Sequence, residues 1–305
     1  MKTAALLFRK ARLLGAALAV AGLPAQAQTA PAAAFHPALW AVKDADTTIY
    51  LFGTVHALPH GVDWLSGPVA AALDSSDELV TEIVEPDPAA MQSSLVTLAM
   101  LPAGKNLRDL LSPAQKTRFE ADLTGLGMAK DAFDRFKPWY AAVALATLPL
   151  LREGFNMEDG VETALAARPL RSVSGAVSKR PQSGLETAQF QLNLFDTLPL
   201  ANQVNYLSAV MDAMPTIKSE TATLIDEWGA GHPDKLADML SAEGDDPLIL
   251  DRLVTQRNKT WADWIHARLG RPGTVFVAVG AGHLTGVQSV QHQLAVQGIV
   301  STRVQ

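Results

Sequence analysis

The chain of 305 residues has no cysteine. Disulfide bonds, a thiol nucleophile, thiolate metal ligands and a lipid-modified N-terminal cysteine are therefore excluded. Without thiols the fold rests on its hydrophobic core, and a domain of this length buries most of its unfolded surface. Basic residues are in the minority, 25 Lys and Arg against 31 Asp and Glu, so tracking along nucleic acid, which rewards clustered Lys and Arg, is not expected. After the first residues no apolar run is long enough for a membrane helix; the alanine-rich stretch Ala141 to Leu151 is too short and reads as a buried helix. No His-Glu-x-x-His helix is present, which sets the standard zincins aside. There is no Gly-x-Ser-x-Gly elbow either, since Val173-Ser174-Gly175 lacks the flanking glycine.

The N-terminus carries an export pattern. Lys2, Arg9, Lys10 and Arg12 precede the apolar run Leu13 to Leu23, and Pro24 leads into the small-residue stretch Ala25-Gln26-Ala27. This is the order of a signal peptide, and the run is short of the roughly 20 residues that span a bilayer. The expectation is a signal peptide over 1–27, a linker over 28–38, and a periplasmic or secreted mature chain without a membrane span. Cleavage would remove four basic residues and no acidic one, leaving the mature protein more acidic than the formal −6 of the whole chain.

The remainder reads as strands at both ends around a helical middle. Trp40 to Val42 and Thr47 to Phe52 are β-rich, with a turn at Lys43 to Asp46; a short helix over Pro68 to Leu73 leads to a strand over Glu78 to Val84. Ser112-Pro113 is a helix start, with Ser as N-cap and Pro in the first turn. Further helices are expected over Pro138 to Arg152, Glu158 to Ala167, Ser183 to Thr197, Leu200 to Ala213, Thr216 to Gly229 and Pro247 to Leu269. Thr274 to Val279 is continuously apolar, as a strand buried on both faces is, and Ile299 to Val304 would be a last strand. The fold class is α/β (α+β): a central mixed sheet built from the N- and C-terminal segments, and one domain over 39–305 with a helical insertion at about 88–270.

Two strand ends share a pattern. Leu51-Phe52-Gly53-Thr54-Val55-His56 closes the early strand, and Val277-Ala278-Val279-Gly280-Ala281-Gly282-His283 closes the late one. Glycine permits a turn or a close backbone approach, and a histidine beyond the carboxyl end of a buried strand sits where open α/β sheets bind ligands. If the strands are neighbours, the two imidazoles converge. Neutral imidazole is a common ligand for transition metals and titrates near neutral pH. The plain alternative is two structural histidines bonded to loop backbone.

At this point a resemblance becomes specific. Leu39-Trp40-Ala41-Val42 with Leu51 to His56, Trp64 and Pro68 resembles the opening of the TraB/GumN family. Glu78 to Ile83, with Glu82 near its end, resembles the following strand; Gly184-Leu185-Glu186-Thr187 with Gln189 or Gln191 resembles a central Leu-Glu-Thr motif. Arg257-Asn258 with Trp261 resembles an Arg-Asn segment, and Phe276 to Leu284 the closing signature. The family is similar to the Tiki proteins, metal-dependent proteases with paired Gly-x-x-His motifs, and more distantly to erythromycin-esterase-like and haem-binding ChaN-like folds. The sequence departs at Gly160-Val161-Glu162, where relatives often have Gly-Val-Asp, and in a longer link over Arg171 to Gln182.

The resemblance implies a metal-dependent, peptidase-like hydrolase acting on a peptide or protein substrate. His56, His283 and Glu82 are the expected ligands of a divalent ion, manganese or cobalt favoured and zinc the other choice. Glu82 is alternatively a general base for a water on that ion. Glu186 and Arg257 complete the candidate catalytic set, Arg257 as an anion or oxyanion stabiliser. Each has a plain reading beside it: a salt-bridged acid, an acid complementing a helix dipole, a solvated helix arginine. Glu85 competes with Glu82, and His60 is a rim residue. The alternative function is a periplasmic binding protein holding haem or a polysaccharide fragment without turnover.

Overall fold

A computed structural model describes residues 35–84, 88–171, 177–240 and 246–305. The expected signal peptide, Glu85 and part of the long link before Gln182 lie outside these residues. The strands are β1 (Leu39–Lys43), β2 (Thr47–Thr54), β3 (Leu58–Pro59), β4 (Glu78–Thr81), β5 (Phe155–Asn156), β6 (Leu170–Arg171), β7 (Val177–Ser178), β8 (Gln182–Gly184), β9 (Gly273–Gly280) and β10 (Ser301–Arg303). Six of them form one mixed sheet in the order β10-β1-β2-β9-β4-β8. β1 runs antiparallel to both of its neighbours, whereas β2, β9, β4 and β8 are mutually parallel.

The apolar pattern fixes this arrangement. Along β9 the side chains alternate between two cores, as the strand period of two requires. Phe276 and Ala278 join Leu39, Phe52, Leu79, Trp64 and Trp228 on one face. Val275, Val277 and Val279 join Ile49, Leu51, Val80, Trp261 and Ile265 on the other. A strand apolar on both faces belongs in the interior of a covered parallel sheet, and β9 sits there between β2 and β4.

The helical middle has a core of its own, centred on Trp139, Phe119, Tyr206, Phe195 and Leu207. The helices Pro138–Arg152 and Leu200–Ala213 have the boundaries expected from sequence. Ser112 caps the helix Pro113–Gly125, with its hydroxyl accepting from Gln115 N and the Gln115 side chain accepting from Ser112 N. Among the described residues no helix is long and apolar enough to cross a membrane.

Four expectations need correction. The strand after Pro68 to Leu73 stops at Thr81, three residues early, because the chain turns there to place Glu82. The helix expected from Ser183 starts at Ala188, and Gln182–Gly184 instead forms β8, the edge strand beside β4. The helix expected from Glu158 starts at Val161. The long helix expected over Pro247 to Leu269 is helical throughout but contains a π-helical turn, Asp251–Thr255, just before Arg257.

Candidate active site

The four parallel strands all finish at one edge of the sheet, where open α/β sheets bind ligands. Thr54 pairs with Gly280 and Thr81 with both Ala278 and Gly184, so their carboxyl ends lie nearly level. Beyond each end comes a polar side chain: His56 after β2, Glu82 after β4, Glu186 after β8 and His283 after β9. Arg257 reaches them from the helix Gln256–Leu269. Four of the five sequence-selected residues are joined directly. His56 follows β2, the strand paired with β9, which leads to His283.

Arg257 is the hub. Its Nε and Nη2 donate to Glu186 Oε1 and Oε2, each at 2.9 Å, and Nη2 also donates to Glu82 Oε2 at 2.7 Å. Nη1 donates to the Leu253 carbonyl at 3.1 Å and lies 3.0 Å from His283 Nε2. The Leu253 carbonyl belongs to the π turn. A guanidinium has five N–H donors, and all are committed here. Burial alone would lower the Arg257 pKa, but the Glu82 and Glu186 carboxylates raise it, so the side chain is a fixed cation. Its guanidinium also lies 4.6 Å from the Trp261 ring centroid, and Trp261 Nε1 donates to Glu186 Oε1 at 3.0 Å.

His283 is fully buried, and its protonation state follows from its partners. The Asn258 amide donates through Nδ2 to the Gln288 carbonyl at 2.6 Å, which turns its oxygen toward the imidazole. That oxygen is 2.5 Å from His283 Nδ1, so Nδ1 carries the proton. Nε2 then holds a lone pair and accepts from Arg257. Burial pushes this imidazole well below its ordinary pKa, and the charges of Arg257 and His56 push the same way. His283 is neutral at pH 7.

His56 is built differently. Its side chain retains 19% exposure, and Nδ1 lies 2.8 Å from Glu162 Oε1. Burial alone would raise the Glu162 carboxyl, but the charge of His56 beside it holds it below its ordinary value. Two glycines permit the close packing around the histidines. A Cβ on Gly53 would lie 3.0 Å from Ala281 Cα, in the turn that carries His283. A Cβ on Gly160 would lie 2.2 Å from the His56 carbonyl oxygen. Neither Gly53 nor Gly280 has a positive φ, so close approach is the reason for Gly53 and a left-handed turn is not.

Because β9 intervenes between β2 and β4, Glu82 sits against His283, with Oε1 3.8 Å from Nε2. Glu82 Oε1 accepts from Gly280 N at 2.8 Å, and Oε2 accepts from Gln191 Nε2 at 2.9 Å. His60 is exposed, with Nδ1 3.2 Å from Asp159 Oδ1. Sequence reasoning assigned no role to Asn258, Gln191 or Trp261, although all three lie within the quoted motifs. Adjacent positions on a helix normally diverge; here the turn Ala281–Leu284 lies close enough for both Arg257 and Asn258 to reach it. Glu162 left no signal beyond its departure from the family pattern.

The donor chemistry can be tested against a divalent cation. Among the described residues no three imidazole or carboxylate groups are already gathered around one ion-sized point. The atoms that would bind are nonetheless of the right kind: a neutral Nε2 on His283, a Glu82 Oε1 engaged only by a backbone N–H, and the Nε2 of His56. An ion on His283 would take the lone pair that now meets Arg257, so Arg257 must yield that one contact. The donor atoms are thus of a kind that suits such an ion, with that exchange required at His283.

The model of the TraB/PrgY/gumN family matches residues 38–303, nearly the whole chain. No curated protein and no solved structure matches it.

Proposed function

This chain belongs to the TraB/PrgY/gumN family, and from that premise we propose that it is an exported metal-dependent hydrolase, peptidase-like in its chemistry. One observation carries the proposal: adjacent parallel strands deliver two histidines, one sealed and neutral, one partly open, to a single sheet edge that also holds Glu82, Glu186 and Arg257. His56, His283 and Glu82 would hold the ion, manganese or cobalt before zinc. When bound, such an ion acidifies water and polarises the carbonyl under attack.

The chain's own residues supply positioning. Asn258 fixes the tautomer of His283 through Nδ1. Glu82 and Glu186 hold Arg257 in place, and Gln191 and Trp261 orient the two carboxylates. Once an ion takes His283 Nε2, Arg257 keeps its bonds to Glu82, Glu186 and Leu253 and has one Nη1 donor freed for a substrate oxyanion. His56 has the exposure needed to meet substrate or water directly.

The test uses purified mature chain stripped with chelator. Uptake of manganese, cobalt and zinc and cleavage of a peptide mixture are measured for the wild type and for His56→Ala/His283→Ala. The double variant is expected to lose metal uptake and at least about a hundredfold in cleavage, the usual scale for removing an acid–base group. Equal metal binding by both proteins would refute the ligand assignment. A Soret band on adding haem, with no cleavage by wild type, would move the reading to a binding protein.

A further inference from the structure

Two buried oxygen atoms beside His56 have nothing to bond to. Among the described residues neither Thr54 Oγ1 nor Glu162 Oε1 has a hydrogen-bond partner, although both atoms are sealed from solvent. Thr54 has no exposed surface at all, whereas the Glu162 side chain as a whole keeps 27% exposure. A hydroxyl and a carboxylate oxygen in that condition cost free energy, and such atoms call for a water or an ion as their partner.

We propose that Glu162 and Thr54 are oxygen ligands of a divalent cation on the His56 side of the site, with Glu162 rather than Glu82 as its carboxylate. The inference rests on the proposed metal chemistry and names the end of the site that holds the ion.

Glu162 Oε1 lies 2.8 Å from His56 Nδ1 yet makes no hydrogen bond there, so no aligned N–H explains the short distance. Two ligand atoms on adjacent corners of an octahedral ion, each about 2.1 Å from it, lie about 3 Å apart. The pair has the spacing of atoms that share a cation. An ion held there meets His56 on its Nδ1 side rather than at Nε2, and the two oxygens are unsatisfied whatever else that ring touches. Backbone contact sets the carboxylate in place: Val161 N donates to the Val55 carbonyl at 3.1 Å, which brings Glu162 beside the strand end that carries Thr54.

Glu82 is the poorer ligand. Its Oε1 accepts from Gly280 N and its Oε2 from Gln191 and Arg257, so a fixed cation already balances its charge. At the His56 end the oxygens have no such partner, and the exposed part of Glu162 gives an ion a way in. Hydroxyl and carboxylate oxygens favour manganese, magnesium or calcium.

The experiment titrates manganese into chelator-stripped mature wild type, Glu162→Gln and Thr54→Val by calorimetry, and follows unfolding with and without the ion. Glu162→Gln should lose at least about 100-fold in manganese affinity, beyond the 10–100-fold that loss of an outer-shell partner brings. Thr54→Val should lose about 2–10-fold, the scale of one net polar contact. The unfolding readout separates a ligand from a structural residue. In chelator Thr54→Val should be at least as stable as wild type, because it removes a hydroxyl that has no partner. Manganese should then raise the melting temperature of wild type more than that of either variant.

Manganese affinity within about twofold of wild type in Glu162→Gln, while His56→Ala/His283→Ala loses uptake, would overturn this assignment and leave the histidine ligands standing. Loss of uptake in Glu162→Gln with uptake intact in the double-histidine variant would keep the oxygen ligands and remove the histidines. A clear loss of stability of Thr54→Val in chelator would make its hydroxyl structural and strike it from the ligand set. No uptake by wild type would overturn both readings.

Discussion

His56 and His283 each follow a glycine by three residues, at the carboxyl ends of paired parallel strands, yet they occupy opposite kinds of surroundings. The His283 end is closed: every donor of Arg257 is engaged, the imidazole has no exposed surface, and Asn258 fixes its proton. The His56 end is more open: the ring lies beside the Glu162 carboxylate and keeps partial exposure. A sequence motif thus specifies where a histidine is delivered but not what it can do. Its neighbours, recruited from distant segments, decide that. The closed end should therefore hold the buried-charge part of the stability, and the open end the chemistry.

The largest test of that division is Arg257→Met. It leaves Glu82 and Glu186 buried without their counter-charge, and breaking a buried pair by removing one partner costs about 3–5 kcal/mol. Urea unfolding at pH 7.5 should show a loss of that size. The triple variant Arg257→Met/Glu82→Gln/Glu186→Gln, which removes the stranded charges, should recover much of it. A loss under about 1 kcal/mol for the single variant would mean that the cluster is hydrated and the contrast false.

Next in size is a pair of glycine substitutions, one at each end. Gly160→Ala drives a methyl group against the backbone oxygen of His56, at 2.2 Å in the present geometry, so the helix carrying Glu162 must shift. Overpacking of this kind costs about 1–3 kcal/mol. Gly53→Ala meets Ala281 at 3.0–3.1 Å, where a few tenths of an ångström of movement suffices, and should lie at the low end of that range. Thermal melts of the two proteins would check the order. If Gly53→Ala is the more costly, the open end is the looser of the two and Glu162 is not fixed by Gly160.

Much of this architecture was legible in the residues. The unbroken apolar run of β9 required a strand covered on both faces, and the Ser112 capping box and the helices Pro138–Arg152 and Leu200–Ala213 followed from local chemistry. The two Gly-x-x-His ends were visible because glycine and histidine stand out against an apolar strand. Strand order was not. Glu82 falls beside His283 because β9 lies between β2 and β4, a fact set by long-range packing. β8 has three residues, too few to show a period of two, and lies in a stretch that reads as a helix start. The role of Arg257 was hidden for a similar reason. An arginine on a helix looks solvated until the ends of two other strands bring carboxylates to it.

The smallest expected effect concerns acid. His283 is held below its ordinary 6.5, so in the window just under that value the unfolded chain binds a proton that the native chain refuses. Stability therefore rises with pH up to about 6.5 and levels off above it, with a slope from this group of at most about 1.4 kcal/mol per pH unit. Glu162 is also held below its ordinary value of 4.5, and for a carboxylate its contribution is present above that value and is lost as pH falls through the native pKa. The two ends thus lose stability on acidification in separate windows, the closed one first. Denaturation of chelator-treated protein between pH 4 and pH 8 should show the upper step vanish in His283→Gln and persist in Glu162→Gln. If the upper step survives in His283→Gln, the sealed imidazole is not what refuses the proton, and the assignment of a permanently neutral His283 falls with it.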